Sequence, residues 1–135
     1  MALLAWNDTF SVKVRQFDDQ HKKLIVLINQ LHDAMRVGKG GDVVGEVLKS
    51  LIDYTSTHFA AEERLMKMHS YPELETHRRE HTQLVKQVLD IQQAMTEGRK
   101  PLTMNIMGFL KEWLVKHIQG DDRKYGSYLN SKGVA

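Results

Sequence analysis

Five histidines and two carboxylates carry the reactive potential of this chain: His21, His58, Glu62, His77, His81, His117 and Asp122. Imidazole and carboxylate together, in a chain without cysteine, suit iron, manganese or zinc held by nitrogen and oxygen. His77 and His81 are spaced i, i+4, as are His58 and Glu62, which puts each pair on one helix face. An α-helix rises about 1.5 Å per residue, so equal counts from the connecting loops mean equal height in a bundle of upright helices. His21 stands 17 residues before Gly38 and His58 17 after Gly41, while His81 stands 17 before Gly98 and His117 16 after Pro101. Four stretches therefore bring their donors to one level, and a two-metal site is the expectation.

The stretches themselves read as helices. Apolar residues recur at three-four spacing through Leu24, Ile25, Ile28, Leu31 and Met35, then Val44, Val47, Leu48 and Leu51, then Leu74, Leu84, Val88, Ile91 and Met95, and finally Ile106, Leu110, Trp113 and Leu114. Strand alternation is nowhere evident. Breakers separate the blocks at Gly38-Lys39-Gly40-Gly41, Ser70-Tyr71-Pro72-Glu73 and Gly98-Arg99-Lys100-Pro101. Ser70 and Glu73 have capping-box spacing, with Pro72 in the first turn. Short connections make successive helices antiparallel. The expected fold is all-α: an up-down-up-down antiparallel four-helix bundle, one domain over residues 1–135, with an N-terminal arm at 1–18 and a short C-terminal helix near 121–131.

Helical phase aims the seven residues inward. His77 and His81 continue the stripe of Leu74, Leu84 and Val88, His21 joins Leu24, Ile25 and Ile28, and His117 lies one turn past Trp113. Burying an ionised Glu62 without a partner costs several kcal/mol, and no lysine or arginine shares its core phase, so a metal is the expected cation. Asp122 follows His117 by five residues, about 140° around a regular helix, and joins the site only if the helix breaks, for which Gly120 is placed. Asp121 is the weaker alternative. Arg78, Arg79 and Glu80 read as solvated surface. Asp18 is read either as an acceptor for His21 or as the N-cap of the first helix. His32 and His69 lie about 16 Å along the axis from the cluster, the former a hydrogen-bonded core-edge residue, the latter in a loop. The seven methionines read as core filling, with Met66 nearest the site.

Other functions are disfavoured by composition. Nineteen basic and 17 acidic residues spread along 135 positions give a net charge of +2, without the basic patch that nucleic acid requires. The start, Met1 to Asp8, lacks a basic n-region. The longest apolar run, Leu24 to Ile28, is far short of the ~18 residues of a membrane span. A cytoplasmic monomer is expected, since no unusual exposed apolar stripe stands out.

The chain resembles the hemerythrin family, specifically its single-domain bacterial members, through Trp6 to Phe10, Phe17 to Leu24, His58-Phe59-Ala60-Ala61-Glu62-Glu63, His77 to His81 and Trp113 to Asp122. The resemblance implies that His77, His81 and His117 hold one iron and His21 and His58 the other. Glu62 and Asp122 would bridge them together with an oxo or hydroxo group, and family spacing selects Asp122 over Asp121. Eleven of twelve octahedral positions are then filled, leaving one open on the two-histidine iron. There the resemblance implies reversible dioxygen binding, with the gas held as ferric hydroperoxide in a pocket of Phe59, Trp113, Leu114 and Ile118. The expected role is carriage, storage or delivery rather than catalysis, with an oxygen-consuming enzyme or a reductase as partner. The alternatives are a di-iron peroxidase, oxidase or nitric oxide reductase, or an oxygen sensor, for whose output domain 135 residues leave no room.

Overall fold

The structure, a computed structural model, describes residues 4–36, 41–97 and 104–135, with side chains from 45 and 107 onward in the latter two stretches. The breakers Gly38 to Gly40 and Gly98 to Pro101 lie outside the described residues, as do the side chains of Val44 and Ile106. The all-α four-helix bundle is borne out, with α1 at Arg15–Arg36, α2 at Gly41–Met68, α3 at Leu74–Thr96 and α4 at Met104–Lys116. A short α5 follows at Arg123–Ser131. No strand occurs among the described residues.

The core falls into two apolar clusters. One gathers Leu24, Ile28, Leu31, Leu48, Ile52, Phe59, Leu84, Val88 and Leu110. The other holds Phe10, Val12, Phe17, Met66, Tyr71, Ile118, Tyr125 and Leu129. On α1, on α2 and on the run out of α4 the buried histidine stands between members of the two: Phe17 and Leu24 flank His21, Met66 and Ile52 flank His58, and Leu110 and Ile118 flank His117, while Ile25 and Phe59 cross that level. A polar slab thus crosses the interior, and among the described residues His32 is the one other buried polar or charged side chain. The methionines do not all fill core, because Met68 is exposed.

The arm is fastened to both ends of the chain. Ser11 Oγ donates to Asp18 Oδ2 at 2.6 Å and the Val12 N–H to Asp18 Oδ1 at 2.8 Å. Asp18 therefore neither orients His21 nor caps α1; from the first helical turn it clamps the preceding strand of chain. Asn29 closes a two-bond amide ladder on Leu4, at 3.0 and 2.7 Å. Gly126 of α5 lies so close beneath the arm that a Cβ there would meet the Val12 carbonyl oxygen at 2.3 Å.

The turn between α2 and α3 is not the expected capping box. Ser70 has φ of 56°, its N–H donates to Lys67 O at 3.2 Å, and the Tyr71 N–H donates to Met66 O at 2.9 Å. This is a Schellman closure of α2, sealed by burial of Tyr71 and Met66 in one cluster. Glu73 is the N-cap of α3 without a side-chain capping bond. Ser70 is thereby committed to ending one helix and cannot start the next.

Candidate metal centre

All seven expected residues converge in the slab, and each is at most 3% exposed. His77, His81, His117 and Asp122 form one group of mutually close donors, and His21, His58, Glu62 and Asp122 a second. Asp122 belongs to both. Its Oδ1 lies 3.0 Å from His77 Nε2 and 3.1 Å from His117 Nε2, while Oδ2 lies 3.1 Å from His21 Nε2. Glu62 straddles the groups in the same sense, with Oε1 2.6 Å from His58 Nε2 and Oε2 3.8 Å from His77 Nε2.

Asp122 reaches the slab without a break in the helix. Residues His117–Asp122 form a π-helical segment that runs into α4 on one side and α5 on the other. Hydrogen bonds from i to i+5 widen the coil and reduce the turn per residue, so positions five apart come round to one face. Gly120 is not required as a hinge, since a Cβ there would meet nothing within 4 Å. Asp121 faces the other way, with Oδ2 3.4 Å from His117 Nδ1.

The chemistry of this donor set fits metal ions. The ring Nε2 atoms of His21, His58 and His77 and all four oxygens of Glu62 and Asp122 are buried without a hydrogen-bond partner. Their close approaches lack hydrogen-bond alignment. His81 Nε2 and His117 Nε2 face each other at 3.0 Å, an arrangement in which two lone pairs need a cation or a shared proton. Donors about 2.1 Å from an ion and at right angles lie about 3 Å apart, as several pairs here do. No lysine or arginine is buried among the described residues.

Without metal the cluster shares protons instead. Burial lowers the basicity of His77, but Asp122 and Glu62 outweigh it and carry its pKa up to about 9. Burial dominates at His81 and brings it down to about 3. Burial and Asp122 push the Glu62 carboxyl up, yet the His58 and His77 imidazoles win and hold it below the usual carboxylate range. Asp122 is likewise depressed, burial being outweighed by His117, His21 and His77. The fully buried Tyr125 has its ring edge on His77, centroids 5.3 Å apart, and an unpartnered hydroxyl. Burial, then Glu62 and Asp122, push that phenol well above its ordinary value.

Behind the imidazoles stand residues that sequence phase places outside. Glu63 Oε2 is 2.9 Å from His81 Nδ1, and Arg78 Nε donates to Glu63 Oε1 at 3.2 Å. Glu80 Oε2 is 3.3 Å from His117 Nδ1, and Gln20 Oε1 meets His58 Nδ1. Arg78 and Glu80 are thus not idle surface. His32 remains remote as expected, but its Nδ1 is buried with no hydrogen bond, 3.9 Å from Asp33 Oδ1. His69 is in the turn after α2.

An apolar cavity of about 50 Å³ lies beyond the rings of Phe59 and Trp113, lined by these and Leu114 and by Leu24, Ile28, Leu51 and Leu110, with Thr55 the one hydroxyl among its described lining residues. Phe59 stacks on His81 with centroids 3.7 Å apart, and Trp113 on His117 at 4.4 Å. Ile118 does not line this cavity; it packs in the opposite cluster with Phe17 and Tyr125.

The sequence profile of the hemerythrin HHE cation binding domain matches residues 12–129. Bacteriohemerythrin of Methylococcus capsulatus is 35% identical over 132 residues, covering 97% of this chain and all of that protein. Bacteriohemerythrin of Stenotrophomonas maltophilia is 34% identical over 131 residues, covering 97% of this chain and 84% of that one. A wild-type hemerythrin crystal structure superposes with a TM-score of 0.89 at 35% identity, over 93% of this chain and 97% of its own. With its bundle and its buried donor set, this chain belongs to the hemerythrin family.

Proposed function

We propose that this protein binds dioxygen reversibly at a pair of iron ions, as a carrier, store or deliverer of the gas. The observation that carries the reading is Asp122, whose two oxygens face two separate groups of buried donors. His77, His81 and His117 would hold one ion, His21 and His58 the other, with Glu62 and Asp122 shared between them. Two ferrous ions would supply the electrons that let dioxygen bind and leave.

The chain's own part is to hold, orient and keep dry. Phe59 and Trp113 press flat on His81 and His117 and fix two ring planes. Leu114, with these aromatics, lines an apolar cavity whose described walls carry no ionisable side chain. Such a wall offers no general acid and excludes water, which favours release of the gas unchanged over its reduction.

The test is metal content together with absorption spectra in air and under argon. Two irons per chain and a visible band that appears with oxygen and disappears under argon are expected. Failure to take up stoichiometric iron would reject the reading. Rapid turnover of peroxide or nitric oxide without a stable adduct would replace it with an enzyme.

A further inference from the structure

The two groups of donors differ in what stands behind their imidazoles. In the group of His77, His81 and His117, the Nδ1 edge of His81 meets a carboxylate, Glu63, at 2.9 Å. The Nδ1 edge of His117 makes no aligned hydrogen bond but has two more carboxylates beside it, Glu80 at 3.3 Å and Asp121 at 3.4 Å. In the other group, His58 Nδ1 meets the neutral amide of Gln20, and His21 Nδ1 has no partner. Among the described residues, anionic backing is confined to one side.

An imidazole that donates its Nδ1–H to a carboxylate is locked in the tautomer that presents Nε2 inward, and it becomes a stronger donor there. A neutral amide does the first more than the second. Glu63 is suited to the role because its two oxygens are divided, Oε1 taking the Arg78 guanidinium at 3.2 Å and Oε2 facing His81. Arg78 is itself held by Glu75 at 3.1 Å. The chain Glu75, Arg78, Glu63, His81 thus runs from the exposed face of α3 to the slab.

We propose that Glu63, braced by Arg78, is a positioning residue that makes the compartment of His77, His81, His117 and Asp122 the tighter of two metal compartments. This rests on the two-metal reading above. It makes metal release sequential, with the ion of His21 and His58 leaving first and the ion backed by carboxylates leaving last.

Cobalt(II) loaded under argon and withdrawn with excess EDTA reads this directly, since its visible bands report ligand field without dioxygen or turnover. Two ions per chain should leave in a fast and a slow phase. Loss of such an outer partner weakens metal binding about 10- to 100-fold, so Glu63→Gln should speed the slow phase by roughly that factor and shift its band. The fast phase should stay put. Arg78→Gln should speed the same phase less, and Glu75→Gln, at the exposed end of the chain, least of all. The helical signal and metal-free melting of each variant should match the parent, separating positioning from folding. Two ions with an unmoved slow phase, or with both phases moved alike, would overturn the role of Glu63 alone. Uptake of no cobalt, or of one ion only, would overturn the two-metal reading and this inference with it.

Discussion

Asp122 Oδ1 lies 3.1 Å from His117 Nε2, although the two residues are five apart on one continuous helical run. The π segment makes that contact, and it sorts two adjacent aspartates into different jobs. Asp122 enters the slab fully buried, whereas Asp121 stays at its edge against the far side of His117.

Asp122→Asn should therefore remove the shared anion and leave fewer than two metals per chain. Asp121→Asn should keep both, with at most a modest weakening through His117. Elemental analysis of the two purified variants decides it. Equal metal in both would mean that Asp122 is not the bridging ligand.

Most of the slab was legible because helices are periodic: height and phase alone brought His21, His58, Glu62, His77, His81 and His117 together. Asp122 was legible only conditionally, since fixed α geometry offers a break as the sole way to turn through 140°, and the backbone instead widened. Glu63, Gln20 and Glu80 were not legible. Each adjoins a ligand in sequence, which by phase points it away, yet each reaches the back edge of an imidazole on another helix. Such contacts depend on interhelical packing and rotamer, and a single-helix pattern encodes neither. At Ser70 the pattern was present but two helix ends competed for one residue, and burial of Tyr71 against Met66 favoured closing α2.

Leu114 lines the apolar cavity and packs against both clusters. Leu114→Ala widens the cavity behind Phe59 and Trp113, the rings that stack on His81 and His117, and should admit water, so iron-loaded protein should oxidise to the ferric form faster in air. Buried leucine truncations cost about 2–5 kcal/mol, and this half-buried one should fall toward the low end. Stopped-flow and hours-long spectra after aeration supply the rate. An unchanged rate would remove Leu114 from the pocket wall.

Gly126 should tolerate no side chain. A methyl group there would collide with the Val12 backbone, which the chain cannot shift without pulling on the Asp18 clamp. Overpacking of this kind costs about 1–3 kcal/mol. Gly126→Ala should lower the melting temperature and increase amide exchange at Val12, while Gly120→Ala, which meets open space, should do neither. Equal melting of the two variants would mean that the arm does not lie against α5.

Metal removal should expose a narrow pH range of stability. His77, raised to about 9 in the folded protein, contributes stability that is fully present below its unfolded value near 6.5 and is lost as pH rises through about 9. His81, lowered to about 3, works in the opposite direction: the unfolded chain takes up its proton first, so stability is lost as pH falls from about 6.5 toward 3. Glu62 and Asp122, both depressed, add to the acid-side loss below the ordinary carboxylate range. Chelator-treated protein should thus melt highest near pH 6.5 and lower on either side. Bound metal takes the imidazoles neutral, so reloading should abolish the alkaline loss due to His77 and raise the melting temperature throughout. Thermal melts from pH 5 to 10, with and without metal, measure both effects. A metal-free midpoint still climbing at pH 9 would show that a charged His77 does not hold the empty slab together.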